Sequence, residues 1–261
     1  MEFCWLTQLE KIGLLFSYSK PYLGLASVNV NKNFFSLVVP TDIIPLGISL
    51  YSLSAGETIK YNENNFIFSC ALDKKIKYTK FSLGFGLKLL WNSYDIGVDD
   101  PIIKDKKSNF ALGLNIGLLI TTEKFFNKKI SIGLSSDLNE PNIGLSQEDL
   151  VKRKMLLGIS LRSNIIKDVE SIFATSFLFY KNNFLWLIGS EFTIRKHFSF
   201  RCGYNYSDFN LGFGYKIGTK FLKNMCIDYS YSIPLTISGS NGSHSFSLNI
   251  SFDKKLNFKR K

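Results

Sequence analysis

Two histidines, His197 and His244, and four cysteines, Cys4, Cys70, Cys202 and Cys226, are the whole imidazole and thiol supply of this chain of 261 residues. No two cysteines are close enough in sequence for a CxxC pair, and none has a histidine at zinc-ligand spacing. A zinc or dithiol redox site is therefore not expected. Cys70 and Cys202 fall on apolar strand faces and read as small hydrophobes. His197 falls at a short turn exposed to solvent or an interface; His244 starts the last strand, where a hydrogen bond holding a loop is expected. The Leu-Gly-Phe-Gly runs at 83–86 and 211–214 lie inside alternating segments with no helix after them, so they are not phosphate loops. No catalytic, cofactor-binding or metal residue is assigned, and the chain does not read as an enzyme.

The chemistry that remains is charge in confined places. Lys88, Arg162, Arg201, Lys216 and Asp228 stand singly among Gly, Ser and Asn. Their spacing puts each on the small, polar side of a strand. A two-residue turn at Ser207–Asp208 would place Arg201 opposite Gly214, and a turn centred near Phe221 would place Gly214 opposite Asp228. The Arg201 side chain could then cross the glycine to reach Asp228, lowering the cost of both charges in an enclosed space.

The elements that carry these charges are strands. Phe246–Phe252 reads Phe, Ser, Leu, Asn, Ile, Ser, Phe. In Phe81–Trp91, six apolar residues alternate with Ser82, Gly84, Gly86 and Lys88, and Phe209–Ile217 repeats the pattern. Successive side chains on a strand point to opposite faces. Candidate strands are 12–19, 22–30, 34–39, 45–54, 65–73, 79–92, 107–120, 128–138, 155–164, 170–180, 183–194, 197–206, 209–218, 223–233 and 243–252. Hairpin-like joins make the sheet antiparallel. A series of segments about ten residues long is what a transmembrane β-barrel needs. The fold class is therefore all-β: an antiparallel transmembrane β-barrel of about 14 strands.

Connections alternate in length: long at 55–64, 93–106 and 139–154, short at 74–78, 121–127 and 165–169. Long 234–242 continues the parity, while Lys181–Asn182 and Ser207–Asp208 are short where long ones are due. Alternation alone does not say which face is outside, since a soluble barrel keeps its apolar face within. The sparse, glycine-rich polar face favours a wet lumen with lipid outside. Trp91, Tyr94, Trp186, Tyr204, Tyr206, Tyr229 and Tyr231 gather near strand ends, as interfacial aromatics do. The rival is a soluble or surface β-structural protein with an ordinary core and no transport role.

Composition agrees. The chain is 45% hydrophobic and 15% aromatic, without a run of about 18 apolar residues that would make a membrane helix. Its net charge of +11 sits in lysine clusters between strands, such as Lys74, Lys75 and Lys77 or Lys104, Lys106 and Lys107. Those are solvated turns, and no nucleic-acid partner is expected. Residues 1–20 lack a basic start and a cleavage site and contain Glu2 and Glu10, so they do not form a signal peptide.

The C-terminal third carries a family resemblance. Arg201, Gly203 and Tyr204 match a strand of the form hRhGY, where h is apolar. Gly212, Gly214 and Gly218 match a glycine-rich strand, Asp228 and Tyr229 an hDYhh strand, and His244, Ser247 and Leu248 a final His-containing strand. This resembles the PorV/PorQ-like outer-membrane family, which is similar in fold to FadL. FSYSKPYLGL and FFSLVVP look like the first strands of that family, and SSDLNEPNIG like its mid-chain segment. The resemblance implies a FadL-like barrel in the outer membrane of a Gram-negative bacterium. It implies a role in transport of apolar small molecules or in protein secretion. The implied partners are outer-membrane lipid, the barrel-insertion machinery, and apolar small molecules or secreted proteins; no cofactor is implied. Against the family pattern, the signal peptide and plug segment are missing. Residues 1–21 read as a remnant of the plug and first-strand region, 22–252 as the barrel and 253–261 as a basic tail. The chain is expected to be an N-terminally shortened member.

Overall fold

The computed structural model describes residues 11–25, 29–41, 44–56, 59–96, 108–125, 128–144, 148–218 and 224–252. In these residues the alternating segments form β1 (Ile12–Lys20), β2 (Val30–Val39), β3 (Leu46–Ala55), β4 (Ile59–Ile76), β5 (Thr79–Ile96), β6 (Ser108–Phe125) and β7 (Lys128–Asp137). They continue as β8 (Lys154–Ile166), β9 (Val169–Tyr180), β10 (Asn183–Ile194), β11 (Phe198–Tyr204), β12 (Asp208–Ile217), β13 (Asn224–Pro234) and β14 (Ser243–Phe252). Each strand pairs with its neighbours in sequence, and β1 pairs antiparallel with β14, from Ile12 opposite Phe252 to Lys20 opposite His244. The sheet is a closed antiparallel barrel of 14 strands. Closure gives every strand two neighbours, so the sheet has no edge strand, which is the condition for crossing a bilayer with strands.

The barrel is inside out relative to a soluble one. On β5, Phe81, Leu83, Phe85 and Leu87 are 36–40% exposed, while Ser82 and Asn92, in the opposite phase, are 2% and 3% exposed. Elsewhere Phe213, Phe246 and Leu112 are exposed, and Ser36, Ser49, Asn115, Thr121 and Ser131 are buried. The buried hydrophobic residues are only Ala71, Leu90, Ala111 and Leu119 among the described residues. The apolar belt therefore faces outward, where lipid stabilises it and water would not. This removes the soluble two-sheet rival.

The strand ends Ile76 and Thr79, Phe125 and Lys128, and Ile166 and Val169 share one end with Ile12 and Phe252; Ile96 and Ser108, Asp137 and Lys154, and Pro234 and Ser243 share the other. These are the short-turn and long-loop ends. At the long-loop end Lys181 and Asn182 have φ of 48° and 62°, the left-handed pair of a two-residue hairpin. Trp91, Trp186, Tyr204 and Tyr206 are exposed on the outer face toward this end. Tyr94 is not with them. It lies three residues from Trp91, hence on the other face, with its ring 4.8 Å from that of Tyr61.

Three expectations need correction. Of candidate strand 22–30, described at 22–25 and 29–30, only Val30 is strand, where it opens β2. Tyr22 (φ 52°) and Gly24 (φ 87°) turn the chain after Pro21, and Leu23 exchanges backbone hydrogen bonds with Gly242 and Asn241. The long connection 55–64 is mostly strand: β4 begins at Ile59 and pairs along its whole length with β5. At 60–64 both faces carry polar residues, so the alternation that marks a strand fades where β4 rises beyond the apolar belt. At 205–207 the turn is not the two-residue one. The Asn205 side chain accepts from the backbone N–H of Ser207 (2.8 Å) and Asp208 (2.7 Å), and Tyr204 pairs with Phe209. An Asx turn outcompetes the tighter hairpin. The register moves by two residues, which keeps every side chain on its expected face.

Candidate functional site in the barrel lumen

The lumen is built from the phase opposite the apolar belt, so its lining is Gly, Ser, Asn and isolated charges. Arg201 on β11 is the centre of one group. Its Nε donates to Glu191 Oε2 at 2.6 Å on β10, and its Nη1 donates to Asp228 Oδ1 at 2.5 Å on β13. Asp228 is two strands away, opposite Gly214 of β12, while Arg201 itself is opposite Gly212. A Cβ at Gly214 would collide with the Asp228 carboxylate and stand 3.2 Å from Arg201 Nη1. Glycine is what lets the ion pair lie across that strand. Two carboxylates flank one guanidinium, whose donor fork can serve both at once.

Lys88 repeats the construction on the facing arc of the wall. It lies on β5 opposite Gly113 of β6, with Cδ 3.6 Å from where a Gly113 Cβ would be. Its Nζ reaches Asp137 Oδ1 on β7 at 2.7 Å. In both cases a long cation spans two strands across a glycine to an Asp. Arg162 pairs with Glu170 on the adjacent β9 at 3.0 Å. Lys216 shares the lumen phase of Gly214 and forms no ion pair among the described residues. The Arg201 and Lys88 side chains are 37% and 27% exposed, so water screens these pairs, and each contributes about 1 kcal/mol rather than several.

Residues 138–144 and 148–153 fold over the mouth of the lumen. β7 stops at Asp137 while β6 runs on, which leaves the β6 edge near Leu112–Leu114 without a strand partner. Asn139 covers it: its Oδ1 accepts from Leu114 N and its Nδ2 donates to Leu112 O, both at 2.7 Å. Asn109 Nδ2 donates to Gly144 O at 2.8 Å, and Asn142 bridges to Leu150. Glu140 accepts from Arg153 N and Lys152 Nζ, both at 3.2 Å, and these donors hold its carboxyl below the usual carboxylate range. Pro141, Ile143 and Val151 then roof a cavity of about 630 Å³. This is where the mid-chain SSDLNEPNIG segment lies.

Cys70, Cys202 and Cys226 are free thiols, and Cys202 Sγ lies 3.0 Å from Ser190 Oγ. Cys4 and the basic tail lie outside the described residues. His244 Nδ1 is 2.7 Å from Tyr229 Oη, so it ties two strands rather than a loop. His197 Nδ1 donates to Lys216 O at 3.1 Å. Sequence reasoning brought Arg201 and Asp228 together but missed Glu191, Asp137 and the roof. Glu191 was visible as the acid in phase with Gly189 and opposed to Phe192.

A closed barrel with an apolar belt and a polar, ion-paired lumen is an outer-membrane β-barrel protein. Its family is shown by a family model for the type IX secretion system membrane protein PorP/SprF, which matches residues 25–252. The chain belongs to that family. Three solved structures share the fold. The Ralstonia pickettii toluene transporter TbuX has a TM-score of 0.59 at 10% identity, over 96% of this chain and 91% of that one. The P. putida toluene transporter TodX gives 0.57 at 9%, over 99% and 93%. A Pseudomonas aeruginosa FadL homologue gives 0.55 at 10%, over 97% and 92%. No curated protein matches by sequence, so these likenesses describe a FadL-like architecture and nothing finer. Family and fold together support a transport or secretion role at the outer membrane.

Proposed function

We propose that this barrel serves protein secretion through a type IX pathway, as a membrane component rather than as a conduit for apolar molecules. The observation that carries this reading is the lumen itself. Ion pairs line its wall at Arg201 and Lys88, and Pro141, Ile143 and Val151 roof it. Apolar cargo passing through would have to slide along ion pairs that it cannot replace. The PorV/PorQ-like strand motifs around Arg201, Asp228 and His244 support the same assignment. Its partners would be outer-membrane lipid, the insertion machinery and secreted proteins or their export apparatus.

The second reading, uptake of apolar small molecules, is favoured by the FadL-like architecture and by the lumen cavity. Deleting the gene in its host separates the two. Loss of type IX cargo from the medium with unchanged toluene uptake supports the proposal. Normal secretion with slowed hydrocarbon uptake overturns it.

A further inference from the structure

The cavity under the roof has two unlike walls. One is aliphatic, with Leu156, Leu178 and Leu187 of β8, β9 and β10. The other, on β2 to β5, carries Phe34, Tyr51, Glu63, Asn65 and Asn92. The register makes this second wall a contiguous patch: Phe34 is opposite Tyr51, Tyr51 opposite Asn65, and Glu63 opposite Asn92. Cross-strand neighbours of this kind stand about 5 Å apart.

The patch presents acceptors whose hydrogen bonds are unmade. Asn65 Nδ2 donates to Glu63 Oε1 at 2.8 Å, which fixes the amide so that its Oδ1 is the free end. That oxygen and Asn92 Oδ1 are buried without a hydrogen-bond partner, and Asn92 is 3% exposed. Native proteins seldom leave such groups unpaired without a reason. Among the described residues Glu63 forms no ion pair and, beyond Asn65, accepts only a 3.4 Å contact from Tyr61 Oη. The cations that line the same cavity are engaged elsewhere: Lys88 with Asp137, and Lys154 over the Tyr180 ring at 5.2 Å.

We propose that this cavity binds a small organic ammonium ion, its charged head between Glu63, Asn65, Asn92, Tyr51 and Phe34 and its apolar body against the leucines. A carboxylate supplies the counter-charge, free amide oxygens accept from or solvate the head, and aromatic faces attract a cation. The volume of about 630 Å³ lies within the range of small-molecule sites. The site stands apart from the secretion reading, because binding is measured on the isolated barrel.

The test is calorimetry on the full chain refolded in maltoside detergent, with benzyltrimethylammonium as probe. Neopentylbenzene is its neutral isostere and phenylmethanesulfonate its anionic counterpart. Saturable binding of the cation, at least about tenfold tighter than either control, is expected. Glu63→Gln keeps the bond to Asn65 and should weaken the cation about tenfold or more. Asn92→Lys puts a tethered ammonium opposite Glu63 and should abolish binding. Folding of each variant is read from its shifted mobility on an unboiled gel. Equal affinity for the neutral isostere overturns the proposal. So does unchanged binding in whichever of the two variants folds.

Discussion

At the residue scale the decisive choice is which phase of a strand a side chain occupies. Phe213 is 57% exposed on the outer face, and Gly212 beside it faces the lumen. Phe213→Lys should therefore cost about 2–4 kcal/mol near the bilayer midplane, and Gly212→Lys clearly less. Urea titration in lipid ranks them, and a costlier Gly212 variant would reverse the faces. The Arg201 group offers a second test. Arg201→Met leaves Glu191 and Asp228 without their shared cation and should cost about 1–2 kcal/mol, moderated by exposure of the guanidinium. Gly214→Ala pushes a methyl into the same ion pair and should cost about 1 kcal/mol. Because both disrupt one contact, the double variant should fall short of the sum in a double-mutant cycle.

At the element scale, residues 138–144 and 148–153 are held by side chains of their own. Asn139→Ala removes both bonds to the β6 edge and should loosen the segment by about 1–2 kcal/mol, seen as faster hydrogen exchange there while the strands stay protected. Acid should do the same. Glu140 has its carboxyl lowered first by the Arg153 backbone N–H and then by Lys152. A depressed acid stabilises above its unfolded pKa, and that contribution is lost as pH falls through the folded one. Protection at the Arg153 amide, its exchange rate taken relative to the intrinsic rate at each pH, should thus fall on acidification below the ordinary glutamate range, and Glu140→Gln should flatten that response. The strands themselves were legible because period-two alternation survives wherever one face meets lipid. It fades at 60–64, where β4 stands clear of the belt with polar residues on both faces. At 22–25 apolar residues imitate a strand while Pro21 and Gly24 turn the chain. The Arg201–Asp228 contact was legible because a two-residue register error preserves the face. The roof was not, since what decides it is an uncovered edge on β6, and edges are properties of the assembled sheet.

At the scale of the whole molecule, the outer belt predicts behaviour more than any single bond does. The folded chain should need detergent or lipid to remain dispersed and should migrate differently on gels before and after boiling. A monodisperse, detergent-free species with the same strand content would contradict the barrel.

The pairing of Ile12 with Phe252 also has a kinetic meaning. It joins the two most distant parts of the described chain, and nothing is gained from it until every strand between is in place. Before that moment the sheet has two raw edges, each able to capture a foreign strand. The final stitch brings the Ser17–Ser247 and Ser19–Ser245 hydroxyl contacts, at 3.0 and 2.7 Å, together with the backbone ladder. The entropy of closing so long a loop favours an assembly in which the first and last strands are the last teeth of the zipper, and protection of the β1–β14 amides appearing before that of the other strands in pulsed hydrogen exchange would overturn that order. Whatever delivers this chain to a bilayer must shield both edges until they meet.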